Sequence, residues 1–162
     1  MRHIISVVVE NKFGVLARIA GLFSGRGYNI DSLTVGITSD PMISRMTIVV
    51  RGNDTVLEQV KKQLNKLIDV IKVIDFLDKP HIERELILLK VNADKQTRSE
   101  IMGLIEIFRG KVVDISPRDL TVEITGHQQK LDALIEVIKP FGIKELARTG
   151  KIAMARGIQN KQ

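Results

Sequence analysis

"ENKFGVLARIAGLFSGRGYNIDSL", Glu10 to Leu33, sets the reading of the whole chain. It starts where an apolar, β-branched run, residues 3–9, gives way to polar Glu10-Asn11, the end of a first strand. Val15, Leu16, Ile19, Leu22 and Phe23 then recur at the spacing of one helical face. Gly25-Arg26-Gly27 stops that helix, with glycine supplying the left-handed cap. A second strand follows over residues 29–38. A glycine at a helix start, Gly14, lets something approach the backbone closely.

Outward from that stretch the pattern continues. Ser39-Asp40-Pro41 is a turn, and Ile43 to Val50 is strand three. Gly52-Asn53-Asp54 opens a helix with Val56, Val60, Leu64 and Leu67 on one face, and Val70 to Leu77 is strand four. Asp78-Lys79-Pro80-His81 reads as a linker. The same order then repeats: a strand over Leu86–Val91, a helix marked by Ile101, Leu104, Ile105 and Phe108, strands over Val112–Ile115 and Leu120–Thr125, a helix marked by Leu131, Leu134, Ile135 and Ile138, and a strand over Ile143–Ala147. Both halves read βαββαβ. The expected fold class is α+β, two tandem ferredoxin-like units each with an antiparallel sheet and two helices on one face. The expected domains are 1–78 and 83–162, joined by a linker at 79–82. Each half is near the lower size limit for a stable core, which favours dimerisation.

Composition narrows the function. Apolar residues make up 44% and charged residues 27%, a globular balance. No apolar run is long enough to cross a membrane, and the N-terminus lacks the features of a secretory signal. With no cysteine, disulfides and thiolate chemistry are excluded, and a cytoplasmic protein is expected. The net charge of +6 is uneven: from Lys139 to Gln162 six basic residues face one acid, a balance of +5 that leaves +1 for the rest. That end could be a nucleic-acid footprint, a solvated tail, or a docking surface for an acidic protein.

No catalytic arrangement emerges. His3, His81 and His127 share no metal-binding spacing, and each is expected at the surface or as a cap. Glu83 and Glu85 are expected on a solvated strand edge. Gly25-x-Gly27 follows a helix rather than a strand, so it is no dinucleotide loop. RNA-recognition modules share the βαββαβ order but stack bases on sheet aromatics, and strands 43–50 and 120–125 have none. No nucleic acid and no membrane partner is expected.

The Asn11–Ile30 region remains. The first turn of a helix carries free N–H groups and a positive dipole end, so it attracts an anion. Gly14 would leave room for a carboxylate, Asn11 could accept from a ligand ammonium, and Val15 and Leu16 could supply apolar contact. The plainer alternative is that Asn11 caps the helix and Gly14 eases packing.

Here a resemblance bears on the choice. Asn11-Lys12-Phe13-Gly14-Val15-Leu16 resembles the Asn-x-Pro-Gly-Val-Leu-like ligand loop of ACT domains, the small regulatory modules of amino-acid metabolism, with Phe13 where proline is common. "HIISVVVENKFGVLARIAGLFSGRGYNIDSLTVG" is similar to the N-terminal domain of the small regulatory subunits of acetolactate synthase, and the likeness extends to the "ELARTGKIAMAR" ending. The resemblance implies a non-catalytic subunit. Its partner would be a large catalytic subunit that carries thiamine diphosphate, Mg²⁺ and FAD and condenses pyruvate with a second 2-oxo acid. This chain would hold no cofactor, raise the partner's activity and confer feedback inhibition by valine. The first domain would form a homodimer. Valine would be bound by Asn11, Gly14, Val15 and Leu16 of one chain with Asn29 and Ile30 of the other. The second domain, which would serve activation, has no Asn-x-x-Gly loop after its first strand (Asn92-Ala93-Asp94-Lys95-Gln96), so one site per chain is expected. A free-standing ACT-type sensor with a different partner is the alternative.

Overall fold

The structure is a computed structural model that describes residues 1–157; Lys161, counted above in the basic segment, lies outside the described residues. The chain divides into two compact units.

The first unit comprises Met1–Ile82 and the segment from Lys151. Its elements are β1 (Arg2–Glu10), α1 (Val15–Ser24), β2 (Ile30–Ile37), β3 (Ile43–Arg51), α2 (Asp54–Asn65) and β4 (Val70–Asp75). The antiparallel sheet has the order β2-β3-β1-β4. Alternation in β1 sends His3, Ile5, Val7 and Val9 to the helix side, where Ile5, Val7 and Val9 meet Val15, Ile19 and Phe23 of α1 and Leu57, Val60 and Leu64 of α2. Burying these side chains drives the fold, at about 25 cal/mol for each Å² of apolar surface removed from water. Asn53 caps α2 by accepting from the Thr55 N–H at 2.8 Å. Leu57, which the sequence reading left off this helix's face, is fully buried, and Val56 is only half-buried.

The second unit, Glu83–Gly150, is built from β5 (His81–Asn92), α3 (Arg98–Ile107), β6 (Lys111–Ile115), β7 (Asp119–Gly126), α4 (Gln128–Ile138), a 3-10 turn at Lys139–Phe141, and β8 (Ile143–Arg148). Its strand order, β6-β7-β5-β8, repeats that of the first sheet. Ile87, Leu89 and Val91 of β5 and Leu120, Val122 and Ile124 of β7 pack beneath Ile101, Ile105, Leu131, Leu134 and Ile138.

The boundaries differ from expectation in two places. His81 and Ile82, expected in the linker, are already the start of β5: Pro80 interrupts backbone donation without ending the extended chain. The second domain was expected to run to 162, yet a ninth strand, β9 (Ile152–Ala155), groups with the first unit and pairs with β5. Gly150, at φ 83°, makes the left-handed turn that redirects the chain. β9 is four residues long and has no turn-linked partner, so no local pattern announces it.

Two expectations about single residues are corrected. His3 is not at the surface: it is 1% exposed, with Nε2 3.0 Å from Asp54 Oδ1 and Nδ1 3.6 Å from Asp75 Oδ2. It lies on the helix side of β1, in register with the core positions. Glu85 is not solvated: it is 7% exposed, its carboxylate 3.7 Å from the Arg148 guanidinium. His127 does cap α4, accepting weakly from the Lys130 N–H at 3.4 Å.

Candidate functional site

The Asn11 loop connects β1 to α1 at one end of the first sheet. The backbone N–H of Asn11 donates to Met42 O at 2.7 Å and its Nδ2 donates to Pro41 O at 2.9 Å. Asn11 is therefore fastened to the β2–β3 turn and does not cap the helix. The Nδ2 donation leaves Oδ1 as its acceptor.

Gly14 occupies the N-cap position of α1 with φ 81° and ψ −7°, and no side chain caps the helix. No acidic residue lies in the first turn. The Val15 N–H reaches back weakly to Lys12 O at 3.4 Å, while those of Leu16 and Ala17 have no partner among the described residues. This is an open, electropositive helix start. Arg18, one turn on, sharpens it: its Nη1 lies 3.8 Å from where a Gly14 Cβ would sit. The same guanidinium pairs with Asp69, whose side chain is largely buried. Sequence reading passed over Arg18 because its partner is 51 residues away.

The side chains divide unevenly. Val15 is 3% exposed and belongs to the core, so only its N–H faces the loop. Leu16 is 44% exposed and free to make apolar contact. Phe13, at the tip, is fully exposed.

Asn29 and Ile30 lie elsewhere in the same chain. Ile30 pairs with Val50, which also pairs with His3, whereas the Asn11 loop begins beyond Glu10, which pairs with Ile43. Seven strand residues separate the two ends, about 23 Å at ~3.3 Å per residue. Within one chain the two groups of candidate residues do not meet. Asn29 is exposed and donates to Asp31 Oδ1 at 3.2 Å; Asp31 accepts from Arg51 Nε at 2.7 Å. Tyr28 anchors this turn. Its ring meets Phe23 edge-on at 6.5 Å and lies so close over Gly52 that a Cβ there would overlap it. Burial raises the Tyr28 phenol above its ordinary value.

The corresponding loop of the second unit is closed. Asp94 Oδ1 accepts from the N–H groups of Gln96 at 2.8 Å and Thr97 at 2.9 Å, and from Thr97 Oγ1 at 3.1 Å. Those hydrogen bonds, the Thr97 N–H foremost, hold its carboxyl below the ordinary carboxylate value. Unit two thus places a carboxylate of its own in the turn that leads into α3.

Three basic residues of the C-terminal stretch are engaged or buried. Lys144 pairs with Asp119 at 2.9 Å, Arg148 faces Glu85 and Asp132, and Lys151 is 5% exposed. Among the described residues no three His, Cys, Asp or Glu side chains gather as a metal would need. No described helix is long and apolar enough to cross a membrane.

Fold and loop together define the class, a protein of two tandem ferredoxin-like units whose first is an ACT domain. A family model described as an AHAS small subunit-like ACT domain matches residues 5–72, and one described as the small subunit of acetolactate synthase matches residues 84–157. The chain is 57% identical over 162 residues to the acetolactate synthase small subunit of Aquifex aeolicus, covering 99% of this chain and 84% of that one. It is 58% identical over 156 residues to the probable acetolactate synthase small subunit of Methanothermobacter thermautotrophicus, covering 96% and 93%. The crystal structure of the acetolactate synthase small subunit from Thermotoga maritima matches with a TM-score of 0.89 at 42% identity, covering 98% of this chain and 99% of that chain. The chain belongs to the acetolactate synthase small subunit family.

Proposed function

We propose that this chain is the regulatory subunit of an acetolactate synthase, that it activates a catalytic large subunit, and that it carries feedback inhibition by valine. The observation that carries the effector site is the start of α1: Gly14 without a cap, two unbonded N–H groups and the Arg18 guanidinium beside them. A carboxylate suits that end, and half-exposed Leu16 suits an aliphatic side chain.

The second half of the site comes from a second copy. β2 is an edge strand, and its Val35 and Ile37 are 41% and 66% exposed. Antiparallel pairing of β2 with the β2 of another copy covers that edge. It sets Ile30 of one chain against Ile37 of the other, at the end where Thr38 and Asn11 join the β2–β3 turn. The partner copy's Asn29 and Ile30 then wall the Gly14 loop. Each dimer holds two such sites. Valine regulates by favouring one arrangement of the assembly over another, a coupling free energy. The second unit serves activation. Thiamine diphosphate, Mg²⁺ and FAD belong to the catalytic subunit, and the complex works in the cytoplasm.

The test is an activity assay of the catalytic subunit with and without this chain, titrated with valine, leucine and isoleucine. Activation by the chain and inhibition by valine are expected. A chain that binds valine but leaves the synthase unchanged would instead be a free-standing sensor for a different partner.

A further inference from the structure

The face of the first sheet opposite the helices is buried too. Ser6 is 0% exposed, Thr47 2% and Val49 0%, although none belongs to the core beneath α1 and α2. Register places them side by side: Ser6 pairs with Thr47, and Ile4 with Val49. The C-terminal segment approaches this face. β9 approaches β1, both of whose edges are already occupied by β3 and β4, so β9 meets β1 face-on. The helices take the side of Ile5 and Val7, which leaves β9 the side of Ile4 and Ser6. Ala153 is 5% exposed there. Two backbone N–H groups fix the segment: that of Lys151 donates to Ser32 Oγ at 3.1 Å, and that of Arg156 donates to Pro80 O at 3.1 Å.

Ser32 is the telling contact. It is on β2, two residues after Ile30, and pairs with Val49 just past the irregularity between Ile30 and Ser32. An edge strand with a bulge near its start is held on one side only. The Lys151 N–H is a second fastening at that weak point.

We infer that residues Lys151–Ala155 form a strap that positions the start of β2, so that seating of the strap and binding of an amino acid by Asn29 and Ile30 are thermodynamically linked. The binding half of this statement rests on the function proposed above; the positioning half does not. Linkage is reciprocal, so a ligand that orders the start of β2 also tightens the strap. The strap enters through Gly150, which has a positive φ.

Amide hydrogen exchange on the full chain, on Ser32→Ala and on a chain ending at Gly150 tests the positioning; calorimetry with valine tests the linkage. Ser32→Ala, which removes one acceptor, is expected to speed exchange over residues 30–36 about fivefold, with the second unit unchanged. The chain ending at Gly150 is expected to show more than tenfold faster exchange over residues 30–36 and 44–50. Valine is expected to protect residues 151–155 in the full chain and to bind more weakly to both variants. Unchanged exchange over residues 30–36 in both variants overturns the strap. Faster exchange with unaltered valine affinity overturns the linkage. A full chain that binds no valine overturns the effector assignment, and with it the linkage, while the exchange rates alone decide the positioning.

Discussion

Gly14→Asp separates the effector site from the stability of its scaffold. Gly14 has φ 81°, so any side chain there pays for the left-handed region, roughly 1–2 kcal/mol, and less for Asp than for most residues. Space is not the obstacle: the new Cβ would meet only Arg18 Nη1, at 3.8 Å, an ordinary contact. A carboxylate at a helix start returns about 0.3–1 kcal/mol through the dipole. The net loss of stability is therefore about 1 kcal/mol, a fall in Tm of roughly 4–8 °C for a unit of this size. Binding should suffer more. The carboxylate would take the Leu16 and Ala17 N–H groups and repel a ligand carboxylate. Losing charge-assisted hydrogen bonds worth about 1.5–3 kcal/mol weakens valine affinity on the order of 10- to 150-fold. Gly14→Ala is the control: it carries the backbone strain without the charge and should retain most of the affinity. The assay is titration calorimetry beside a thermal melt for each variant. Wild-type valine affinity in a folded Gly14→Asp chain would refute the site, and equal losses in both variants would show that strain rather than charge is responsible.

Mixed dimers test the seam. Gly14→Asp and Asn29→Ala chains should each bind valine poorly, yet an equal mixture should recover about one quarter of the sites, because half the dimers are mixed and each has one intact site; no recovery on mixing argues against a site shared between copies. Calorimetry should give one valine per chain, since Asp94 fills the corresponding turn of the second unit, and two per chain would contradict that reading. His3→Ala should cost on the order of 2–4 kcal/mol in chemical denaturation, because it opens a cavity and removes the imidazole between Asp54 and Asp75; a midpoint within error of wild type counts against that packing role. Acid should loosen the second unit through Asp94 and Asp119, whose folded values are depressed by hydrogen bonds, from Thr97 and from Lys144 respectively. A depressed folded value means stability that is present above the ordinary carboxylate value and lost as pH falls through the folded value, so protection of unit-two amides should drop as pH falls below about 4. Asp94→Asn should flatten that drop, and an identical pH profile for the variant would remove Asp94 from the account.

Much of this was legible in the chain. The alternating runs of β1 and β7 and the apolar faces of α1 and α4 are local patterns, and local patterns give elements directly. The βαββαβ order, read twice, then gave the sheet topology. What stayed hidden depends on distant contacts. His3 looked superficial because its two aspartates come from α2 and β4. Glu85 looked solvated because Arg148 reaches it from β8. A left-handed glycine was expected within Gly25-Arg26-Gly27, and Gly27, at φ 73°, makes that turn while Gly25 is right-handed. Both glycines satisfy the sequence rule, and only the path into Tyr28 chooses between them. The Gly14 loop was legible as an open helix start, whereas Arg18's place beside it was not.

The two units build the loop before their first helix in opposite ways. Each has a strand that runs into a helix at the same point of the same topology, and each helix start exposes donors that need an acceptor. In unit two the Asp94 carboxylate accepts from Gln96 and from the N-cap residue Thr97, and those bonds lower its pKa. In unit one the loop spends its own polar side chain, Asn11, on Pro41, and offers Gly14 where an acceptor would stand. A chain that merely needed a stable helix could have used the first solution twice. Leaving one start open, beside a guanidinium and at the end of an unpaired edge strand, makes sense if the missing carboxylate arrives on a ligand and the missing wall on a second copy.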